Sequence, residues 1–194
     1  MKIDTWFPTV IGISSFERIK ELEDTYYNYL MSIKNNYTTQ GFYPHAIHED
    51  PLFKDLTSWT TEQVNLFASK FNFKDKYVPV ESWFNDYEIG SYQPYHSHFG
   101  CVFSTAFYLK GDEDDSKILF KSPVPVDLKN PQNSSALNNE GDGLNEYTFT
   151  KAHYTPSTGK LLMFRSFLEH ATETKHTTNP RVVISYNYDK EIKN

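Results

Sequence analysis

Two histidines separated by one residue, His96 and His98, are the clearest candidates for chemistry in this chain. They stand just before a segment, starting at Val102, whose composition predicts a β-strand. On an extended backbone, alternate side chains project to the same face, two rises of about 3.3 Å apart. Two imidazoles placed in this way can reach one metal ion, and such a pair is a recurrent half-site for iron, zinc or copper. The spacing therefore indicates half of a metal site.

A basic residue and a hydroxyl share one face of the last predicted strand, residues 182–188. In an extended chain Arg181 and Ser185 project together, while Val182 and Ile184 project to the opposite face. A buried arginine without an anionic partner would cost several kcal/mol, so a bound carboxylate explains the pair. The alternative is that Arg181 lies at the end of the strand, exposed or paired with Glu169 or Glu173.

Helical patterns are confined to the first third of the chain, and strands are predicted after it. Ser14 and Glu17 form a possible capping box before a first helix, and residues 60–71 carry the apolar stripe of a second. Later residues form short runs rich in β-branched and aromatic side chains, separated by turn residues, which is typical of an all-β sandwich or barrel. The predicted strands are 78–87, 102–110, 118–121, 147–154, 160–164 and 182–188.

Length, charge and cysteine content limit the classes of protein. The chain has 194 residues and a net charge of −6, which argues against a nucleic-acid scaffold. Cys101 is the only cysteine, so an internal disulfide and a Cys-rich zinc site are excluded. No apolar run approaches the roughly 20 residues needed to span a bilayer, and the first residues do not match a signal peptide, so we expect a cytoplasmic protein.

We expect one domain over residues 1–194. In this prediction residues 1–77 are a helical N-terminal support, and residues 78–194 are the β core. The polar, proline-containing insertion 122–145 is interpreted as either a lid or a disordered segment. The acidic cluster 112–115 is interpreted as a solvated hairpin turn, and His45 and His48 as surface residues of a loop.

The candidate residues follow one another in a definite order. It runs His96-x-His98, a strand containing Tyr108, the turn Pro156-x-x-Gly159, then His170, Arg181 and Ser185. This order resembles the 2-oxoglutarate- and Fe(II)-dependent oxygenases of the prolyl-hydroxylase type, most closely their small phage and marine-bacterial members. The resemblance covers roughly residues 83–188, about half of the chain.

The resemblance implies a mainly β fold, a double-stranded β-helix or jelly roll with the N-terminal helices packed on one sheet. It implies that His96 and His170 match the proximal and distal histidines that bind Fe(II). Arg181 would hold the distal carboxylate of 2-oxoglutarate, with Ser185 and Tyr108 as companions. Asn85 and Tyr87 would face the same pocket, and the aromatic candidates for its walls are Trp83, Phe103, Phe107, Phe164 and Phe167.

The chain departs from the family pattern at one ligand, because His98 stands where the family has Asp or Glu. Three outcomes are open. In the first, His98 acts as a third imidazole ligand, and the site has one negative charge fewer than the family pattern provides. Alternatively, His98 is the proximal ligand and Gly100 stands at a vacant position, as in related halogenases. Otherwise a carboxylate from elsewhere completes the site, or none does and the protein is catalytically silent. We favour the first, with His96, His98 and His170 as catalytic metal ligands.

The implied activity is that of a 2-oxoglutarate-dependent Fe(II) dioxygenase. It would use dioxygen to hydroxylate a small-molecule or peptide substrate and release succinate and CO2. Two alternatives stay open. A cupin metal dioxygenase would also use the His96-x-His98 pair, although the rest of its motif is missing. A non-catalytic jelly-roll binding or structural module would need neither iron nor 2-oxoglutarate.

Overall fold

The computed structural model describes residues 1–3, 7–124 and 148–192. Two α-helices lie in the N-terminal part of the chain, α1 (Ile19–Ile33) and α2 (Lys54–Ser69). The strands are β1 (Gly12–Ser15), β2 (Phe42–Tyr43), β3 (Tyr77–Asp86), β4 (Phe103–Lys110), β5 (Ile118–Lys121), β6 (Lys151–Tyr154), β7 (Lys160–Arg165), β8 (His170–Thr172) and β9 (Val182–Lys190). Short 3-10 turns lie at Lys34–Asn36 and Pro51–Phe53.

The strands form two separate antiparallel sheets. The larger sheet has six strands in the order β1-β7-β4-β9-β3-β2, and the smaller has three in the order β6-β5-β8. The expected mainly β, jelly-roll architecture is confirmed. The described strands do not close into a barrel, so the space between the sheets is the interior of a sandwich.

The larger sheet is covered on both faces, which gives the molecule three layers. Its strands alternate between two apolar clusters, as the pleat requires. On β9, Val182 and Ile184 pack in the cluster that contains both helices, whereas Val183 packs in the cluster between the sheets. The helices therefore pack on the larger sheet, as expected, and the second sheet covers its other face.

The N-terminal region also contributes strands, which the sequence pattern did not predict. The expected capping box is wrong, because Ser14 lies on β1 and its hydroxyl donates to Gln63 Oε1 at 2.9 Å. Helix α1 begins at Ile19 without a side-chain cap. Helix α2 begins earlier than expected. The Asp50 carboxylate accepts from the backbone of Leu52 at the 3-10 turn that leads into α2, a start signal the sequence analysis overlooked.

The turn before β7 matches the prediction. Gly159 has a φ of +86°, and a Cβ there would lie 2.8 Å from Cγ2 of Ile19, so a larger residue would be strained and crowded. Most of the predicted insertion 122–145 lies outside the described residues, which end at residue 124 and resume at 148. Within the described parts of the chain, neither helix has the length and apolar character to cross a lipid bilayer.

Candidate active site

A cavity of about 220 Å³ lies between the two sheets. All six residues predicted for metal or co-substrate binding line this cavity. They are His96, His98, Tyr108, His170, Arg181 and Ser185. Residues separated by up to 89 positions, 96 to 185, thus come together in one space. They lie on the loop before β4, on β4 and β8, and at the start of β9.

The three histidines meet at one wall of the cavity. His96 and His170 form an antiparallel bridge, in which each backbone N–H donates to the other residue's carbonyl, at 3.0 and 2.9 Å. The backbone N–H of His98 donates to the carbonyl of Ser166 at 2.9 Å. One ligand atom from each of the three imidazoles lies within 4.8 Å of the others. His170, predicted in a loop, is the first residue of β8.

Hydrogen bonds to backbone carbonyls orient two of the rings. Nδ1 of His96 lies 2.8 Å from the carbonyl oxygen of Pro94, and Nδ1 of His170 lies 3.0 Å from that of Leu168. A carbonyl oxygen only accepts, so each Nδ1 carries the proton and each Nε2 keeps a free lone pair. This second contact is the usual way in which a protein fixes the tautomer of a metal-binding histidine.

Burial keeps His98 and His170 neutral. Burial, with a smaller effect from the neighbouring His96, lowers the pKa of His170 to about 3 and that of His98 to about 4. Neutral imidazole is the form that binds a metal. The donor set therefore fits Fe(II), for which nitrogen ligands are suitable.

Among the described residues, this cluster contains no carboxylate. Glu81 is close enough to raise the pKa of His98 against the stronger effect of burial, but its carboxylate accepts from Asn187 Nδ2 at 2.7 Å. Gly100, considered as a vacant ligand position, is exposed and does not line the cavity. The arrangement is a cluster of three imidazoles.

Arg181 lies fully buried at another wall of the cavity. Its Nη1 donates to the hydroxyl of Ser116, and its guanidinium stacks 4.4 Å from the centre of the Tyr87 ring. Among the described residues, Nε and Nη2 have no hydrogen-bond partner. An unpaired buried donor is costly, and these two nitrogens form one edge of the guanidinium, which fits a carboxylate.

The alternative interpretation of Arg181 is wrong. Glu169 pairs with Lys121 at 2.9 Å, and Glu173 accepts from the backbone of Lys117 at 2.9 Å. Neither reaches the guanidinium, which is not exposed. The buried cation and its free edge thus fit the far end of a dicarboxylate.

Two tyrosines lie beside Arg181. Burial raises the pKa of Tyr108 well above its usual value, and the nearby guanidinium only partly offsets this. Burial likewise raises the pKa of Tyr87. Both hydroxyls therefore stay protonated at neutral pH and can donate hydrogen bonds. Asn85, also expected to face the pocket, lines the cavity.

The predicted aromatic walls are partly wrong. Trp83 and Phe164 line the cavity. Phe103 and Phe107 project from the opposite face of β4 into the cluster beneath the helices. Phe167 lies in the turn after β7 and is 51% exposed. For β4 the even-numbered Ala106 and Tyr108 face the cavity, because the strand's pleat sends alternate side chains to opposite sides.

Sequence reasoning missed Ser116, the hydrogen-bond partner of Arg181. It also missed Phe42, Gln93 and Thr172, which line the cavity from β2, the loop before His96, and β8. Phe42 shares an aromatic contact with Trp83, at 6.1 Å between ring centres, and no sequence pattern marks it. Ser116 directly follows the acidic cluster 112–115, which the sequence analysis interprets as a solvated turn.

His45 and His48 do not line the cavity, and they are only part-exposed. Nε2 of His45 lies 2.8 Å from Asp50, and Nδ1 of His48 lies 2.7 Å from the hydroxyl of Ser82. The first contact lies within the loop before α2, and the second links that loop to β3. Both histidines have a structural role here that the surface interpretation did not include.

The family model described as "Putative 2OG-Fe(II) oxygenase" matches residues 81–187, more than half of the chain. The chain belongs to this family of 2-oxoglutarate- and Fe(II)-dependent oxygenases. The match includes every residue predicted for the site and favours the oxygenase over the cupin interpretation. No protein with a curated function matches the sequence.

Solved structures share the fold. HygX from Streptomyces hygroscopicus, with nickel and 2-oxoglutarate bound, is 15% identical with a TM-score of 0.62, covering 95% of this chain and 84% of that one. A Pseudomonas putida prolyl-4-hydroxylase is 9% identical with a TM-score of 0.64, covering 95% and 94%. SnoN, an α-ketoglutarate-dependent epimerase from nogalamycin biosynthesis, is 11% identical with a TM-score of 0.64, covering 92% and 78%. At these identities the likeness establishes the fold alone.

Proposed function

We propose that this chain is a dioxygenase that uses Fe(II) and 2-oxoglutarate to hydroxylate a small-molecule or peptide substrate, with succinate and CO2 as co-products. One observation carries the proposal. A single cavity contains three imidazoles with ligand atoms within 4.8 Å of one another and a buried guanidinium with an unpaired edge. A metal ion and a dicarboxylate together would complement both groups.

In this proposal His96, His98 and His170 hold the iron. Burial lowers the pKa of His98 and His170, so neither imidazole carries a proton that a metal would have to displace near neutral pH. Three neutral ligands bring no negative charge to the metal. The iron would therefore keep more positive charge than in a site with an Asp or Glu ligand, and an anionic co-substrate would offset it.

Arg181, Tyr108 and Ser185 hold the co-substrate. The Nε and Nη2 edge of Arg181 would bind the distal carboxylate of 2-oxoglutarate bidentately. The protonated hydroxyl of Tyr108 can donate to the same group. Ser185 lies on the cavity face of β9, on the same strand side as Arg181.

Bound iron and 2-oxoglutarate supply the activation of dioxygen and the oxidation of a substrate C–H bond. The chain's own contribution is to hold these reactants together and to limit the access of water. Trp83, whose ring centre lies 5.4 Å from that of His98, is fixed by a hydrogen bond from its indole to Asn85 at 3.1 Å. Phe42, 39% exposed, forms the outer part of this aromatic wall, where we expect the substrate to enter.

Anaerobic Fe(II) and 2-oxoglutarate titrations test the proposal. Wild-type protein should bind one Fe(II), and His96→Ala and His170→Ala should each lose iron binding, while His153→Ala, at an exposed position, should not. Arg181→Ala should weaken 2-oxoglutarate binding and leave iron binding intact. Near-wild-type iron content in either histidine variant, or unchanged 2-oxoglutarate affinity in Arg181→Ala, would contradict the assignment.

Two substitutions of His98 examine the unusual ligand. If His98 is a ligand, His98→Ala should bind Fe(II) more weakly than wild type. His98→Asp adds a negative charge and recovers the family pattern, so it should bind Fe(II) more tightly than His98→Ala. Equal iron affinity in wild type and His98→Ala would remove His98 from the ligand set. Succinate formation from 2-oxoglutarate, measured in the same variants, would show whether the bound groups react.

A further inference from the structure

A buried ion pair lies behind Arg181, away from the histidines. Nζ of Lys175 lies 2.7 Å from Oδ2 of Asp115, and the two side chains are 3% and 1% exposed. Neither residue lines the cavity. Replacing a buried pair of this kind with apolar side chains is often neutral or stabilising. Stability alone therefore does not explain why the fold contains this pair.

Lys175 forms hydrogen bonds to the segment that precedes Arg181. Its ammonium donates to the carbonyl oxygens of Thr177 and Asn179, at 2.9 and 2.6 Å, and to the hydroxyl of Thr177 at 3.2 Å. Its backbone N–H donates to the carbonyl of Ser91 at 2.9 Å. Lys175 thus connects the segment before β9 with the loop that precedes His96.

Asp115 in turn holds Ser116 in place through a hydrogen bond. The backbone N–H of Ser116 donates to Oδ1 of Asp115 at 2.7 Å, while Oδ2 receives Lys175. The N–H of His176 also points to Oδ1, at 3.5 Å. Burial opposes the charge on Asp115, but the hydrogen bonds from Lys175 and Ser116 outweigh it and lower the pKa of the carboxyl. Both oxygens of this carboxylate are therefore engaged.

Ser116 completes the connection to the cavity. Its hydroxyl accepts from Nη1 of Arg181, the guanidinium nitrogen that does not belong to the free edge. This contact leaves Nε and Nη2 together, unpaired, on the side from which a carboxylate can bind them both. Without it, Nη1 would also be unpaired in a buried position, and the guanidinium would be free to turn toward another partner.

We propose that Asp115 and Lys175, acting through Ser116, are positioning residues that hold the Arg181 guanidinium ready for the distal carboxylate of 2-oxoglutarate. The inference rests on the proposed function and adds to it the three residues that set the geometry of co-substrate binding. These three residues hold the guanidinium in place before 2-oxoglutarate binds. Little conformational entropy of the Arg181 side chain is therefore lost on binding.

Calorimetric titration of 2-oxoglutarate into anaerobic, Fe(II)-loaded protein tests the role of Asp115, Lys175 and Ser116. Ser116→Ala should weaken 2-oxoglutarate binding about tenfold or more, because a hydrogen bond to a charged group is lost. Ser116→Thr keeps the hydroxyl and should bring the affinity back to within about threefold of wild type. Asp115→Asn should also weaken binding. Asp114→Asn, the same change at an exposed neighbour in the same turn, should not.

Fe(II) affinity, measured separately, should stay unchanged in all four variants, since none touches the histidines. The inference is overturned if folded Ser116→Ala binds 2-oxoglutarate within about twofold of wild type. It is also overturned if Ser116→Thr fails to recover an affinity that Ser116→Ala has lost. If Asp115→Asn does not fold, the serine variants decide. Failure of wild-type protein itself to bind 2-oxoglutarate would be a different result, which refutes the proposed function and the inference with it.

Discussion

The two ends of the cavity are built from different kinds of interaction. At the histidine end His98 and His170 are neutral, and backbone hydrogen bonds such as the bridge between His96 and His170 hold the histidines in place. At the arginine end a buried cation is held by Ser116, with the Asp115–Lys175 ion pair behind it. One end acquires its charge when a ligand binds, whereas the other carries charge in the folded protein from the start.

The support behind each end differs in the same way. Beneath the histidine end, Ser104 Oγ lies 2.8 Å from Ser166 Oγ and donates to Asn187 Oδ1 at 2.7 Å. Asn187 donates to Glu81 at the edge of the network. Ser166 also accepts the backbone N–H of His98. A buried neutral group that loses its hydrogen-bond partner costs about 1–3 kcal/mol. A buried charge that loses its partner costs more, about 3–5 kcal/mol. The arginine end should therefore be the more sensitive of the two to substitution.

Lys175→Met should have the largest effect on stability. It leaves the Asp115 carboxylate buried without its cation, and breaking a buried pair in this way costs about 3–5 kcal/mol of unfolding free energy. Urea denaturation measures the change. The matched control is Lys121→Met, which removes an ammonium from the exposed pair with Glu169 and should have no measurable effect. Equal losses in the two variants would mean that burial does not distinguish these pairs.

Asn187→Ala tests the hydrogen-bond network beneath the histidines, again by urea denaturation. The variant removes the acceptor of Ser104, and because Asn187 is 2% exposed we expect a loss of about 1–3 kcal/mol. Asn35→Ala, at an exposed position, serves as the control. If Asn187→Ala lost as much unfolding free energy as Lys175→Met, the two ends of the cavity would be equally sensitive to substitution, contrary to expectation. The affinity for 2-oxoglutarate should be unchanged in Asn187→Ala.

Local pattern was sufficient to predict the parts of the site that lie on strands. Alternation along β9 correctly separated the cavity-facing Arg181 and Ser185 from the core-facing Val182, because both faces of the sheet are covered. The geometry of an extended chain likewise predicted that His96 and His98 would share a face. Strands β1, β2 and β8 were missed, because they have four, two and three residues and exist only through pairing with distant strands.

The residues behind Arg181 were beyond prediction for a different reason. In the cluster 112–115 only Asp115 is fully buried, and nothing in the local sequence separates it from its exposed neighbours. Its burial follows from the position of Lys175, 60 residues later. Pairing of opposite charges across such a distance leaves no periodicity, so a run of acidic residues is normally interpreted as a solvated turn.

The dependence of stability on pH separates the two ends of the cavity by their chemistry. In the metal-free protein, burial lowers the pKa of His170 to about 3, below the ordinary histidine value of about 6.5. Between these values the unfolded chain binds a proton that the folded chain does not. The resulting stability is fully present above about pH 6.5 and is lost as the pH falls toward 3, by at most about 1.4 kcal/mol per pH unit.

His170→Gln should therefore flatten the pH dependence of unfolding free energy between about pH 4 and pH 6, measured by urea denaturation of metal-free protein. Asp115→Asn should leave the slope in this window unchanged. The lowered pKa of Asp115 makes its contribution present above the ordinary carboxyl value of about 4 and lost only below it. The exposed His153→Gln is the control for His170. If Asp115→Asn flattened the slope in this window and His170→Gln did not, the assignment of neutral groups to one end and charged groups to the other would be reversed.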